Sequence, residues 1–154
     1  VTRGSEMDLP EPVQTYFNTH LSGVFHTDVA DIPPEGVAYA LIVVLEDAAE
    51  FGFGRCGEAW FPAGCYGYGG SAYGPGGGRT RLGRHFRRGK PYRWHIDRLT
   101  EAGRFAGAWT SREMSECDIV RLMRHLPGAQ SGPPGFGASD CRACDSHLVF
   151  LGPR

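Results

Sequence analysis

The chain has 154 residues, 41% apolar and 12% aromatic, enough for one folded domain with one core and too few for two. No run of about 18 apolar residues is present and the start is acidic and polar, so neither a membrane span nor a secretory leader is expected, and a cytoplasmic protein is. The formal net charge of −1 hides an asymmetry: the first 58 residues hold ten acids against Arg3 and Arg55, and five cysteines, an odd count, argue against a disulfide framework.

Residues 1–34 read as an N-terminal extension, Pro-rich at both ends, with a short helix near Val13 to Leu21. The main domain, 35–154, opens on VAYALIVVL from Val37, a β-branched apolar run without helical spacing that reads as a buried central strand. FGFGRC, EAWF and CYGYG follow as short strands of an antiparallel meander, with Cys56 and Cys65 in place of apolar strand residues. Leu82 and Phe86, four apart, predict a short helix over Arg79 to Arg88 closed by Gly89, and Trp94 to Thr100 predicts a second. RFAGAWT reads as a strand. Thr110 with Glu113 fits a capping box opening a helix through about His125, with Met114, Cys117, Val120 and Met123 toward the core. HLVFL makes a final strand. The expected class is α+β, a small antiparallel sheet of three or more strands flanked by helices.

Between Glu58 and Asp97 no acid occurs, while Arg79, Arg81, Arg84, Arg87, Arg88, Lys90 and Arg93 crowd together, a local anion-binding surface expected to meet DNA. Arg81 and His85 lie four apart and project from one helical face, a guanidinium for charge on phosphate oxygens beside an imidazole for proton transfer. Arg84 and Arg88 form a parallel pair suited to flanking phosphates. A carboxylate for a divalent metal has to come from elsewhere, and Glu116 is the candidate, with Glu113 explained as a cap.

These residues resemble the GIY-YIG endonuclease superfamily, in its stand-alone Uri-type branch, over roughly Gly36 to Leu151. The likeness is tightest in FPAGCYGYGGSA, RLGRHFRR, WHIDRL and FGASDC with SHLVF. It implies a phosphodiester hydrolase, a metal-dependent DNA endonuclease, with Tyr39 and Tyr68 as the paired tyrosines and Arg81 and His85 as the helical pair. His95 would be a further histidine, Glu116 the single ligand for magnesium or manganese, and Ser71 a contact to nucleic acid. Three departures stand out. Val37 replaces the first motif's glycine, Gly69 replaces the second motif's central isoleucine, and the late asparagine has no counterpart because the only Asn is Asn18, leaving Ser139 or Asp140 to substitute.

Cys141, Cys144 and His147 form C-x2-C-x2-H, which with Cys117 fits a tetrahedral zinc site tying the tail to the long helix; plain packing of the thiols is the alternative. GPGGGR lacks the Gly-Lys-Ser/Thr ending of a phosphate-binding loop, so no nucleotide cofactor is expected. A non-catalytic nucleic-acid-binding module and a zinc-stabilised interaction domain are the competing readings. Oligomeric state is left open by the sequence.

Overall fold

The structure, a computed structural model, describes residues 9–53, 57–138, 141 and 143–153. Cys56, Ser139 and Asp140 lie outside these residues. The class is α+β, as expected: among the described residues, a six-stranded antiparallel sheet and a two-stranded one are flanked by four α-helices. In chain order these are α1 (Glu11–His20), β1 (Val24–His26), β2 (Val37–Leu45), β3 (Ala49–Gly52), β4 (Glu58–Phe61), β5 (Gly64–Ala72), α2 (Gly77–Phe86), α3 (His95–Ala102), β6 (Arg104–Ser111), α4 (Glu116–Arg124), β7 (Gln130–Ser131) and β8 (Leu148–Gly152). A single 3-10 turn, Val29–Asp31, precedes β2. The large sheet runs β1-β6-β2-β5-β8-β7, and β3 pairs with β4 alone.

All nine residues of β2 are buried, because layers cover both faces of the sheet. Ala38, Ala40, Ile42 and Val44 join a core with α1 and α4, whereas Tyr39, Leu41, Val43 and Leu45 join one with Leu82 of α2, Ile96 and Leu99 of α3, and Phe136. The described part of the N-terminal segment contributes to the first of these cores. Phe17 of α1 stacks on Trp109 at 4.4 Å between ring centroids, and β1 pairs with β6 at the sheet edge.

Strand β5 alternates large and absent side chains. Tyr66 and Tyr68 belong to the second core, whereas Gly67 and Gly69 face α4. A Cβ on Gly67 would stand 2.4 Å from the Met123 sulfur, and one on Gly69 would stand 2.6 Å from a Val120 methyl. Only bare backbone lets α4 lie this close.

The structure corrects one predicted boundary. Thr110 is not a helix cap but a buried residue of β6, opposite Tyr39 on β2 and Val24 on β1, with its hydroxyl 2.9 Å from His26 Nε2. Cross-strand pairing on both sides outweighs the local capping signal. Ser111 Oγ then accepts from the N–H groups of Glu113 and Met114, turning the chain, and the reciprocal capping box falls at Ser115 and Asp118. Glu113 therefore caps nothing and accepts from the Ser22 hydroxyl at 2.7 Å. Met114 precedes the helix, whose buried stripe is Ile119, Val120 and Met123.

Candidate functional site

Helix α2 lies over the tyrosine face of the sheet, anchored by fully buried Leu82. His85 is buried as well, and its Nε2 lies 3.1 Å from the Tyr39 hydroxyl. Arg81, one turn earlier, is also hydrogen-bonded to Tyr39, donates to the Ser71 carbonyl at 3.1 Å, and rests over the Trp94 ring at 4.5 Å. Burial lowers the His85 imidazole to about 3, helped by Arg81, Arg84 and Lys90 and opposed by Asp97. The ring is neutral near pH 7, and its buried Nδ1 has no hydrogen-bond partner. Burial also holds the Tyr39 and Tyr68 phenols well above their ordinary range, against the lowering effect of Arg81 on both. Both are therefore protonated donors until further positive charge arrives.

Glu116 reaches this cleft from the other side of the sheet. Strand β8 pairs with β5 from Cys65 to Tyr68, and Gly69 N–H then bonds the His147 carbonyl at 2.9 Å. Two residues further along β5, Ser71 Oγ donates to Glu116 Oε1 at 2.5 Å, while His147 Nδ1 lies 3.1 Å from Oε2. The His147 contact, then that of Ser71, holds the Glu116 carboxyl below its ordinary value although burial opposes them. Tyr39, Tyr68, Ser71, Arg81, His85, Trp94 and Glu116 line one cavity of about 160 Å³. A larger one of about 510 Å³ shares Tyr68, Trp94, Glu116 and Gly137 with it and continues to Arg93, His95, Cys141 and His147. Glu116 is the only carboxylate on either lining among the described residues. An ion held by one carboxylate and its own waters suits magnesium or manganese chemistry.

His95 stands at the rim. Its Nδ1 accepts the Gly137 N–H at 2.8 Å, so in the neutral ring the proton sits on Nε2. Phe53 and Phe136 pack around the imidazole at 5.1 and 5.7 Å.

Cys117, in the first turn of α4, meets Cys141, Cys144 and His147 of the tail, and one donor atom from each lies within 4.8 Å of the others. The Cys117 and Cys141 sulfurs are 3.6 Å apart, close to the edge of about 3.8 Å that tetrahedral thiolates require. His147 Nδ1 is engaged by Glu116, and the remaining nitrogen, Nε2, is buried without a hydrogen-bond partner. His147 draws the Cys141 thiol down to about 6, whereas burial pushes Cys117 up to about 12. This group could hold a metal ion. Its donor types, spacing and orphaned nitrogen all fit one.

The basic stretch is less available than its sequence suggests. Arg84 makes a two-pronged bond to buried Asp97 at 2.8 and 2.9 Å, and its guanidinium also covers Trp94. Arg88 donates to the carbonyls of Glu101 and Gly103, and Arg79 to that of Ile32. Lys90 is itself buried, with its ammonium on the Arg87 carbonyl, Thr100 and Glu101. Arg84 thus joins α2 to α3, and Lys90 ties the segment after α2 to α3, so both are engaged within the fold where the sequence reading had them facing phosphate. The acids that claim them, Asp97 and Glu101, lie at and beyond the end of the acid-free window. Arg79, Arg87, Arg88 and Arg93 are exposed.

Two contributors were not singled out from the sequence. Trp94 is sandwiched between Arg81 and Arg84, and Gly137 closes on the Tyr68 ring so tightly that a Cβ there would stand 2.6 Å from its hydroxyl. Trp94 had a signal in the WHIDRL run, and Gly137 had one in FGASDC.

Among the described residues no helix is long and apolar enough to cross a membrane. Neither a curated protein nor a solved structure matches the chain. A family model described as a domain of unknown function, DUF123, matches residues 38–154, beginning one residue into β2 and spanning the whole cleft, and the chain belongs to that family.

Proposed function

We propose that the protein is a metal-dependent endonuclease that hydrolyses phosphodiester bonds in DNA. The observation that carries this reading is the gathering of Tyr39, Tyr68, Arg81, His85 and Glu116 on one small cavity from four separate elements. Apart from these five, the cavity walls supply only the Ser71 hydroxyl and the Trp94 indole as polar side chains.

In this reading Arg81 meets the charge that builds on the phosphate oxygens, held in place by the Ser71 carbonyl and the Trp94 face. Water loses its proton to Tyr39, whose own proton passes to Nε2 of neutral His85. An entering phosphodiester brings negative charge beside the cationic cluster that depresses His85, which raises its basicity when it is needed. Tyr68 donates to a phosphate oxygen. Glu116 would hold the divalent ion, magnesium or manganese, which would supply Lewis-acid stabilisation of charge on the phosphoryl and leaving oxygens. Exposed Arg79, Arg87, Arg88 and Arg93 contact flanking phosphates, so binding weakens as salt rises.

A zinc ion on Cys117, Cys141, Cys144 and His147 supplies a structural tie between α4 and the tail. That cluster also favours the competing reading, a zinc-stabilised interaction domain. Nicking of supercoiled plasmid with manganese separates the two. The nuclease reading expects turnover in the wild type, and loss of at least about a hundredfold in Tyr68→Phe and Glu116→Ala with DNA binding retained. Wild-type protein that carries zinc but neither binds nor nicks DNA overturns it.

A further inference from the structure

The cysteine cluster and the cleft share one side chain. His147 is buried to 3% exposure; its Nδ1 faces Oε2 of Glu116 at 3.1 Å, and its Nε2 is the orphaned nitrogen of the metal-binding group. Glu116 and Cys117 are consecutive on the first turn of α4, so the metal cluster and the cleft carboxylate are held by one turn of helix. The second Glu116 oxygen is fixed by Ser71.

We propose that His147 is a positioning residue that makes Glu116 depend on the zinc centre: with Nε2 on zinc, the ring must carry its proton on Nδ1, where it donates to Glu116 and sets the carboxylate's orientation toward the cleft. A metal on one imidazole nitrogen fixes the tautomer of the other. Without the metal, only the Glu116 contact holds the proton on Nδ1, and nothing on Nε2 enforces that tautomer. Zinc occupancy thereby governs how the cleft receives its own divalent ion. This rests on the zinc and cleft-ion assignments made above, while its link from His147 to Glu116 is tested without DNA turnover.

The coupling is reciprocal, so it is measurable from the zinc side with no substrate present. Zinc affinity, read by competition with a chelator, falls about 10- to 100-fold in Glu116→Ala. It returns close to wild type in Glu116→Gln, whose amide oxygen still accepts from Nδ1–H. On zinc-loaded protein, imidazole proton–nitrogen spectra place the His147 proton on Nδ1, and its resonance moves in Glu116→Ala while the rest of the spectrum keeps its dispersion. Equal zinc affinity in wild type and Glu116→Ala, with an unmoved imidazole resonance, overturns the link and leaves the zinc site standing. Wild-type protein that takes up no stoichiometric zinc overturns both.

Discussion

Strand β5 has two faces of opposite construction. On one, Tyr66 and Tyr68 fill a core of aromatic rings with Tyr39, Phe61 and Phe136, and polar groups of α2 and α3 are buried against it. On the other, Gly67 and Gly69 offer no side chain at all, and Val120 and Met123 of α4 fill the space. The tyrosine face supplies phenols, imidazole and guanidinium, each needing a partner to be buried. The glycine face supplies proximity. Because α4 lies so close, Glu116 at its start reaches around the end of the paired edge to Ser71. A site divided between two faces of a sheet needs chemistry on one side and closeness on the other.

The sharpest way to break the tyrosine face is to strand a buried charge. Asp97 is fully buried and accepts from Arg84 twice and from the N–H groups of Arg93 and Trp94. Arg84→Ala should cost about 3–5 kcal/mol of stability, because the carboxylate is left under-compensated. Urea unfolding measures it; a loss below about 1 kcal/mol would mean that Arg84 is the surface cation its sequence context suggests. Arg81→Ala, by contrast, removes no carboxylate's partner and should spare stability while abolishing nicking.

Next in size is a pH effect from the same face. His85 is held at about 3 in the fold against an ordinary 6.5, so between these values the unfolded chain binds a proton that the folded one refuses. Stability therefore falls as pH drops through that window, by at most about 1.4 kcal/mol per pH unit from this group. Asp97, at about 2 although burial alone would raise it, adds a loss of the same sign at lower pH. Unfolding midpoints from pH 7 to 4 should show the slope in wild type and a shallower one in His85→Gln. On the glycine face, Gly69→Ala puts a Cβ into Val120 and should cost about 1–3 kcal/mol, partly regained in Gly69→Ala/Val120→Ala. An unchanged midpoint in the single variant would show that α4 is not held by this contact.

What the sequence exposes and what it conceals divide along the same line. The β2 run, the four-residue spacing of Arg81 and His85, and the C-x2-C-x2-H tail each carry their geometry in local spacing, so they were legible. Gly69 looked like a departure from an isoleucine pattern and turns out to be the seat of Val120. The partners of two of its cations were hidden for a nonlocal reason: a window that ends at Asp97 cannot show that Asp97 and Glu101 fold back onto Arg84 and Lys90. The bridge from His147 to Glu116 spans two segments 31 residues apart and had no sequence signal. Thr110 misled because a capping pattern is a local preference, and a strand paired on both sides overrides it.

The smallest effect tests how far that closeness depends on the helix terminus. Ser115 Oγ accepts the Asp118 N–H at 3.1 Å, and the Asp118 carboxylate accepts the Ser115 N–H at 3.2 Å. Ser115→Ala should cost about 1 kcal/mol, the ordinary value of an N-cap. If packing through Val120 and Met123 alone fixes α4, that loss appears in unfolding while manganese affinity at Glu116 stays the same. If the cap also fixes the first turn, where Glu116 and Cys117 sit side by side, manganese and zinc affinity both weaken. Titrating the two ions separately in this variant thus decides whether the glycine face or the helix cap delivers the carboxylate to the cleft.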